Sequence, residues 1–157
     1  MPHLAALLRV ARRLTLDFSS AEDLVQETML LAWRGFHGFQ TGTNARAWLF
    51  RILFNAFHGA GRKARRDFLP SQESVRPMLQ EAVEIAEALD ALSLEQRTVL
   101  LLAVVEGFTC QEVSGILDLP VGTVMSRLSR ARQELRKSLA PPIKEVKADV
   151  KAKEAYR

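Results

Sequence analysis

Apolar residues recur every three or four positions along most of this chain, which is the spacing that places them on one face of an α-helix. Polar and charged residues fill the positions between them, as they do on the outer faces of helices in small globular domains. Glycine, proline, serine and asparagine separate the periodic segments. The pattern therefore predicts an all-α protein with helices over about residues 4–16, 20–34, 45–66, 80–92, 94–106, 110–117 and 121–139.

Each predicted helix has an apolar face that we expect to be buried. The fifth helix is apolar nearly all round over residues 99–105, which indicates the centre of a core. The expected inward-facing residues of the other helices are Leu4, Leu7, Leu8, Ala11 and Leu14; Ala21, Leu24, Val25, Thr28, Met29 and Ala32; Trp48, Leu49, Ile52, Leu53 and Ala56; Ile85, Ala88, Leu89 and Leu92; Val113, Ile116 and Leu117; and Val124, Leu128, Ala131, Leu135 and Leu139.

Capping residues mark where several of these helices begin. Ser19 or Ser20 is expected to cap the second helix, and Asn44 is expected to cap the third, because their side chains accept hydrogen bonds from free backbone N–H groups. Ser93 and Gln96 form the S-x-x-Q pattern of a capping box, which predicts the start of the fifth helix.

The sixth and seventh predicted helices lie close together around a tight turn. Thr109 and Glu112 form a capping box at the start of the sixth helix, and Pro120 stands where the seventh begins. The outer faces of the seventh helix carry basic and hydroxyl side chains. This arrangement is typical of a helix-turn-helix, whose second helix binds in the major groove of DNA. An ordinary helical hairpin with a solvated basic face is the alternative at this point.

Residues 67–79 separate two groups of helices. This stretch contains Pro70, Pro77 and several serines, a composition typical of a linker. After Leu139 the chain is rich in proline, lysine, glutamate and alanine, and it has too little apolar surface to fold alone. We therefore predict two small helical domains at residues 1–66 and 80–140, joined by a flexible linker at 67–79. The second domain is a helix-turn-helix, and a disordered tail follows at 141–157.

The 157-residue chain has a formal net charge of +4, and its charges are unevenly distributed. Six basic residues and no acid lie between Arg46 and Arg66, and five basic residues and one acid lie between Arg127 and Lys137. Acidic residues predominate between these two segments. Two basic surfaces with an acidic stretch between them indicate two separate contacts with a polyanion.

A polar strip lies on the second predicted helix, away from its expected core face. Asp23, Gln26, Glu27 and Leu30 recur at i, i+3, i+4 and i+7, so they share one side of the helix. Such a strip is either ordinary solvated surface or a docking surface for a helix of another protein.

Residues 36–44 form a predicted loop that contains two glycines and two phenylalanines. Phe36 and Phe39 either pack under the loop or hold a nucleic-acid base. The helix after the loop carries basic and polar residues on a side away from its apolar face. Aromatic residues beside a basic helix face are typical of proteins that bind single-stranded nucleic acid, because bases stack and phosphates pair with arginine or lysine.

Enzymatic and metal-binding motifs are not found in this sequence. It contains no glycine-rich phosphate loop, no zinc-ligand spacing and no nucleophile elbow. The single cysteine, Cys110, precludes an internal disulfide and fits a reducing cytosol. No segment approaches the roughly twenty apolar residues of a membrane span. We therefore expect a cytoplasmic, non-enzymatic protein with no metal or cofactor and no membrane insertion.

Three stretches match a known family in their order and spacing. They are residues 21–33 (AEDLVQETMLLAW), 44–55 (NARAWLFRILFN) and 119–132 (LPVGTVMSRLSRAR). Together they resemble a bacterial extracytoplasmic-function (ECF) RNA polymerase sigma factor over about residues 7–139. The resemblance implies two helical domains, called regions two and four. It also implies three partners, which are core RNA polymerase, promoter DNA and an anti-sigma protein.

The resemblance also implies three sets of site residues. The set that binds core polymerase is Asp23, Gln26, Glu27 and Leu30. The set that binds the melted minus-ten element is Gly38, Phe39, Gln40, Thr43, Asn44, Arg51, Asn55 and Arg62. The set that reads the upstream minus-thirty-five element is Thr123, Met125, Ser126, Arg127, Ser129 and Arg130.

Met125, Ser129 and Ala45 depart from the family pattern, in which larger or basic residues are common at these positions. Met125 cannot donate a hydrogen bond, so it can make only apolar contacts with DNA. The preferred promoter sequence therefore does not follow from the resemblance. An alternative is a sigma-mimic module that titrates an anti-sigma protein without reading DNA. A mimic is expected to lose the basic face, whereas Arg127 and Arg130 are present.

Overall fold

The computed structural model describes residues 2–64 and 80–139, and the side chains of residues 2–60 and 82–139. Every regular element in these ranges is helical, as predicted. The α-helices are α1 (Leu4–Thr15), α2 (Phe18–Gly35), α3 (Ala45–Ala64), α4 (Gln80–Ala91), α5 (Leu94–Leu100), α6 (Cys110–Leu117) and α7 (Val121–Leu139). Leu101–Val105 continue α5 as a π-helical turn, and Phe36–Gly38 form a short 3-10 turn after α2. The linker and the tail predicted from the sequence lie outside the described residues.

Both predicted capping boxes are present. The hydroxyl of Ser93 accepts a hydrogen bond from the Gln96 N–H at 3.3 Å, and the Gln96 side chain accepts one from the Ser93 N–H. The second helix begins differently from the prediction. Its N-cap is Asp17, whose carboxylate accepts a hydrogen bond from the Ser20 N–H at 2.8 Å. Asp17 rather than Ser19 or Ser20 is the cap because its extended backbone places the carboxylate over the first turn.

The first domain consists of α1, α2 and α3. Leu7, Ala11 and Leu14 of α1 and the expected inward-facing residues of α2 from Ala21 to Ala32 are buried, except that Leu8 and Met29 are only half-buried. Val10 is also fully buried, which was not predicted, and Leu4 is 44% exposed because it lies at the very start of α1, before the buried stretch. The buried face of α3 also differs from the prediction. Fully or almost fully buried residues on α3 are Phe50, Leu53 and Phe54, whereas Trp48, Leu49 and Ile52 are only half-buried.

The second domain consists of α4 to α7. Its centre is the fifth helix with the π-helical turn, where Val99, Leu101 and Leu102 are buried against α6 and α7, in agreement with the prediction for this apolar run. The last part of the run leaves the core, since Val104 and Val105 are about half exposed. At α4 the buried residues are Ala88 on the helix and Leu92 directly after it. Ile85, which was expected to be buried, is 49% exposed because α4 packs through its C-terminal half.

The two domains contact each other through α3 and α6 and share one continuous apolar core. The ring of Phe50 lies edge-on to the ring of Phe108, with centroids 5.4 Å apart. This contact explains the shifted face of α3, because residues that would face solvent in an isolated first domain are covered by the second. None of the helices in the described part of the chain has the length and apolar character needed to cross a membrane.

Candidate nucleic-acid and protein interfaces

Helices α6 and α7 are joined by a three-residue turn. Asp118 ends α6 in the left-handed conformation, with φ of 54°, and its backbone N–H bonds to the carbonyl of Ser114. The Leu119 N–H bonds to the same carbonyl at 3.1 Å, and Pro120 precedes the first residue of α7. These hydrogen bonds satisfy the free carbonyl at the end of α6. The turn therefore fixes the direction in which α7 leaves α6, as a helix-turn-helix requires.

The outer face of α7 carries the residues predicted to read duplex DNA. Val124, Leu128 and Ala131 are buried, which confirms the first part of the predicted inward stripe, whereas Leu135 is half-buried and Leu139, the last residue of α7, is 43% exposed. The predicted reading residues therefore lie on the remaining sides of the helix. Met125 (58% exposed), Ser126, Ser129 and Arg130 are exposed, and Thr123 is half-buried.

Arg127 differs from the other predicted reading residues. Its guanidinium Nη2 lies 3.1 Å from Oε2 of Glu95 on α5, and its side chain is only 25% exposed. The ion pair holds Arg127 against the second domain. Of the two arginines in the predicted set, Arg130 is therefore the more accessible to DNA.

The loop predicted to bind melted DNA is ordered by its own hydrogen bonds. The hydroxyl of Thr43 donates to the carbonyl of Gln40 at 2.8 Å, and the side-chain oxygen of Asn44 accepts from the Ala47 N–H, so Asn44 caps α3 as predicted. Gly42 has φ of +99°, a conformation that favours glycine. Gly38, Gln40, Thr43, Asn44, Arg51 and Asn55 are exposed, Phe39 is half-buried, and the side chain of Arg62 lies outside the described residues.

An apolar pocket of about 310 Å³ opens beside this loop. Phe39 packs against Trp48 with ring centroids 4.9 Å apart, and Phe36 stacks on Phe39 at 6.2 Å. Trp33 lines the same pocket and is 81% exposed. The sequence pattern gave no role to Trp33, and for Phe36 it left open whether the ring packs under the loop or holds a base. The sequence signal for Trp33 is a large aromatic residue outside the apolar stripe of α2. The signal for Phe36 is an aromatic residue within a polar loop.

The predicted polymerase-binding strip is solvent-accessible along its whole length. Asp23, Gln26, Glu27 and Leu30 are all exposed, and Leu30 is 49% exposed. None of the three polar side chains takes part in an ion pair or hydrogen bond among the described residues. The strip therefore has no evident role in the chain's own packing.

The second domain contacts the loop through α6. The side-chain amide of Asn44 donates a hydrogen bond to Oε1 of Glu112 at 3.1 Å. Thr43, Asn44 and Arg51 line a shallow groove of about 300 Å³ together with Glu112, Gly115 and Ile116 of α6. The Thr109 N–H and then its hydroxyl lower the pKa of Glu112, and Asn44 and Arg46 act in the same direction. Glu112 is thus a carboxylate that binds the loop predicted to hold melted DNA.

A second carboxylate, Glu106, lies at the centre of the interdomain contact. Its side chain is fully buried, and it accepts hydrogen bonds from Arg9 of α1 and Arg46 of α3. Arg46 also lies over the ring of Phe108, with its guanidinium carbon 4.6 Å from the centroid. Neither Glu106 nor its two arginines are among the predicted site residues. An acid directly after a long apolar run is the only sequence signal for this contact.

Arg97 joins the domains by a different set of bonds. It is buried, and it donates hydrogen bonds to the carbonyls of Leu89, Asp90 and Leu92 on its own domain and of Arg13 on the other. Burial lowers the pKa of Arg97, while Asp90 opposes this effect. These bonds are structural, because every acceptor is a backbone carbonyl.

Known proteins similar to this chain agree with the resemblance. The family model of Sigma-70 region 2 matches residues 1–67, and that of Sigma-70, region 4 matches residues 82–135. The chain is 40% identical over 124 residues to the ECF RNA polymerase sigma factor EcfG of Rhodopseudomonas palustris, covering 73% of this chain and 68% of the relative. It is 37% identical over 149 residues to the ECF RNA polymerase sigma factor SigL of Mycobacterium tuberculosis, covering 87% of this chain and 84% of the relative.

A solved structure has the same fold. It is the co-crystal structure of the sigma factor RpoE in complex with the anti-sigma factor NepR from Bartonella quintana, with a TM-score of 0.77 and 34% identity, covering 87% of this chain and 91% of that chain. The helix-turn-helix with its exposed basic helix agrees with these likenesses. The chain therefore belongs to the family of ECF RNA polymerase sigma factors.

Proposed function

We propose that this chain binds core RNA polymerase and directs it to initiate transcription at particular promoters. The observation that carries the proposal is the helix-turn-helix of α6 and α7, whose second helix exposes Met125, Ser126, Ser129 and Arg130 in a chain of the ECF family. Residues 1–66 act as region two and residues 80–140 as region four, with residues 67–79 as the linker. The chain acts in the cytoplasm and has no catalytic role, since polymerisation belongs to its partner.

Run-off transcription with purified core polymerase on a promoter library tests this function. A sigma factor gives transcripts from a subset of promoters that share an upstream and a minus-ten element. A sigma mimic that only titrates an anti-sigma protein gives no transcript from any promoter, and this result would overturn the proposal.

Core polymerase binds the strip of Asp23, Gln26, Glu27 and Leu30 on α2. The support is that the strip is exposed and that its polar groups do not serve the chain's own fold. Replacing Asp23 and Glu27 by lysine should weaken binding to core polymerase while leaving the helical content unchanged. Lysine at Glu84 and Glu87, two exposed acids of α4, gives the same change in net charge and is the matched control. Equal affinity of both double variants for core polymerase in a titration would show that the strip is not the polymerase-binding surface.

The loop and the start of α3 hold the melted minus-ten element. Gly38, Phe39, Gln40, Thr43, Asn44, Arg51, Asn55 and Arg62 form this surface, which combines aromatic, polar and basic groups as single-strand binding requires. Alanine at Asn44 and Asn55 should slow strand opening, as followed by permanganate reactivity. Asn44→Ser is the control for helix capping, since serine also caps a helix. Normal strand opening in the double alanine variant would contradict this assignment.

A separate anti-sigma protein regulates the chain. The relevant likeness is to RpoE, which was crystallised in complex with the anti-sigma factor NepR. If an added inhibitor is the regulator, the purified chain with core polymerase is active without any inducing factor. A purified chain that stays silent on its own promoter would contradict this mode of regulation.

A further inference from the structure

Among the described residues, Glu106 is the only acid of the second domain that is buried, and its carboxylate lies in the contact with the first domain. Its side chain is 0% exposed, whereas the side chains of Arg9 and Arg46 are 52% and 31% exposed. Oε1 of Glu106 lies 2.9 Å from Nε and 2.8 Å from Nη2 of Arg9, so two nitrogens of one guanidinium group contact the same oxygen. Oε2 accepts from Arg46. Two guanidinium groups of the first domain therefore converge on one anion of the second.

Converging guanidinium groups suit more than one kind of anion. The planar fork of arginine donates two parallel hydrogen bonds to a carboxylate or to a phosphate. Arg46 lies two residues after Asn44, at the start of α3, and therefore next to the surface assigned to melted DNA. The carboxylate of Glu106 thus lies beside the surface proposed to bind single-stranded DNA. The backbone of such a strand carries one phosphate per nucleotide.

The closed arrangement of the domains cannot persist while both promoter elements are bound. Elements centred about 10 and about 35 base pairs upstream of the start site lie roughly 85 Å apart along B-form DNA. A packed chain of this length has a radius of gyration of about 15 Å and hence a diameter of roughly 40 Å. The fifteen residues 65–79 between the described ranges can span at most about 50 Å. The domains must therefore separate, and this covalent connection is long enough to allow it.

Separation removes the partner of Arg9 and Arg46. Glu106 moves away with the second domain, and two guanidinium groups of like charge are left close together on the first domain. An unpaired group of cations at the edge of the strand-binding surface is stabilised by a new anion. We propose that Arg9 and Arg46 form a binding site for a backbone phosphate of single-stranded promoter DNA, which the carboxylate of Glu106 occupies until the domains separate. This inference rests on the proposed function.

Binding of fluorescein-labelled oligothymidine to the full chain tests the site directly. Glu106→Gln keeps the side-chain shape but removes the charge, so it should free the two arginines. We expect about a tenfold gain in affinity, which is the lower end of what a hydrogen bond to a charged group contributes. The dependence of log affinity on log salt should steepen by about 0.7 for one added phosphate contact. Adding Arg9→Gln or Arg46→Gln to Glu106→Gln should abolish both changes.

Glu134→Gln is the matched control for charge. It raises the net charge by the same amount and also frees a cation, Lys137, which lies 3.3 Å away on the same helix and outside the interdomain contact. Phe108→Ala is a second variant that weakens the contact without changing charge, and it should also raise affinity for oligothymidine. If Glu106→Gln and Phe108→Ala both bind oligothymidine no better than Glu134→Gln, there is no masked phosphate site.

Run-off transcription separates this result from failure of the proposed function. Wild-type protein that transcribes normally, combined with unchanged oligothymidine binding in Glu106→Gln, overturns only the phosphate site. Wild-type protein that transcribes from no promoter overturns the proposed function itself, whatever the oligothymidine result.

Discussion

The two surfaces assigned to DNA differ in what lies against them. The outer face of α7 is open to solvent, with Met125 58% exposed and Arg130 exposed. The start of α3 is instead held by the second domain, because Glu112 binds Asn44 and Glu106 binds Arg46. The outer face of α7 thus has no hydrogen bond or ion pair with the first domain among the described residues, whereas Asn44 and Arg46 are bound by carboxylates of the second domain although most of the proposed strand-binding surface is exposed. If these surfaces bind DNA as proposed, we expect duplex recognition or polymerase binding to come first and the release of Asn44 and Arg46 to follow.

The largest expected effect concerns stability on the covered side. Phe50 is fully buried where α3 meets Phe108, so Phe50→Ala should lower the free energy of unfolding by about 3–5 kcal/mol. Met125→Ala on the open face should change it by less than about 0.5 kcal/mol. Urea denaturation followed by circular dichroism measures both. Equal effects of the two substitutions would mean that the domains are not packed together in solution.

The next effect concerns the open face. Arg130→Ala should reduce discrimination for the upstream element by about 1–3 kcal/mol if Arg130 contacts a guanine edge. If Arg130 contacts a phosphate instead, all sequences should weaken alike and the salt dependence should fall by about one. Met125→Arg should change which element is preferred. Binding to a randomised upstream element measures these outcomes, with Arg136→Ala, a loss of charge near the end of α7, as the control.

The duplex measurement also separates the two surfaces. Because the outer face of α7 is open in both arrangements of the domains, Glu106→Gln should leave the preference for the upstream element unchanged. A shifted preference in that variant would show that the interdomain contact shapes the reading helix as well.

A smaller effect distinguishes the two capping boxes. Thr109→Ala and Ser93→Ala should each cost about 1 kcal/mol of stability, because each removes a helix cap. Only the Thr109 box also holds Glu112, which contacts the first domain. Hydrogen exchange at the start of α3 should therefore increase in Thr109→Ala but not in Ser93→Ala. Equal exchange at α3 in the two variants would contradict the contact between Glu112 and Asn44.

The smallest expected effect is a dependence of folding stability on pH. The Thr109 N–H and hydroxyl lower the pKa of Glu112 below its ordinary value of 4.5, and the hydroxyl and N–H of Ser20 lower the pKa of Asp17 below 3.8. A lowered pKa in the folded state means that each stabilising contribution is complete above the unfolded value. It is lost as the pH falls through the folded value. The urea concentration at the midpoint of unfolding should therefore decrease as the pH is lowered below about 4.5. The decrease should be less steep in Glu112→Gln and in Asp17→Asn. Identical pH profiles in wild type and variants would contradict these contacts.

Local features of the fold could be predicted from the sequence, because they depend on residues close along the chain. The capping boxes at Ser93 and Thr109 and the first part of the buried stripe of α7 were confirmed for this reason. Periodicity alone did not identify the ends of the buried stretches, so Leu4, Ile85 and Leu139 were wrongly expected to be buried.

Features created by the contact between the domains could not be predicted. Phe50 is fully buried where the ring of Phe108, which lies far along the chain, packs edge-on against it. Glu106 is buried only because Arg9 and Arg46 meet it from the other domain. The predicted site residues lie on accessible surfaces, and which of them touch DNA or polymerase remains a prediction.

The central claim is that the domains are packed together in the free protein and separate to engage the promoter. Single-molecule energy transfer tests it most directly, between dyes on Ser19→Cys in α2 and Ser138→Cys in α7, in a Cys110→Ala background. The free protein should give a distance within the roughly 40 Å diameter of a packed chain of this length. The complex with core polymerase and promoter should give a longer distance, toward the roughly 85 Å between the elements. An unchanged distance in a complex that makes transcripts would contradict the account.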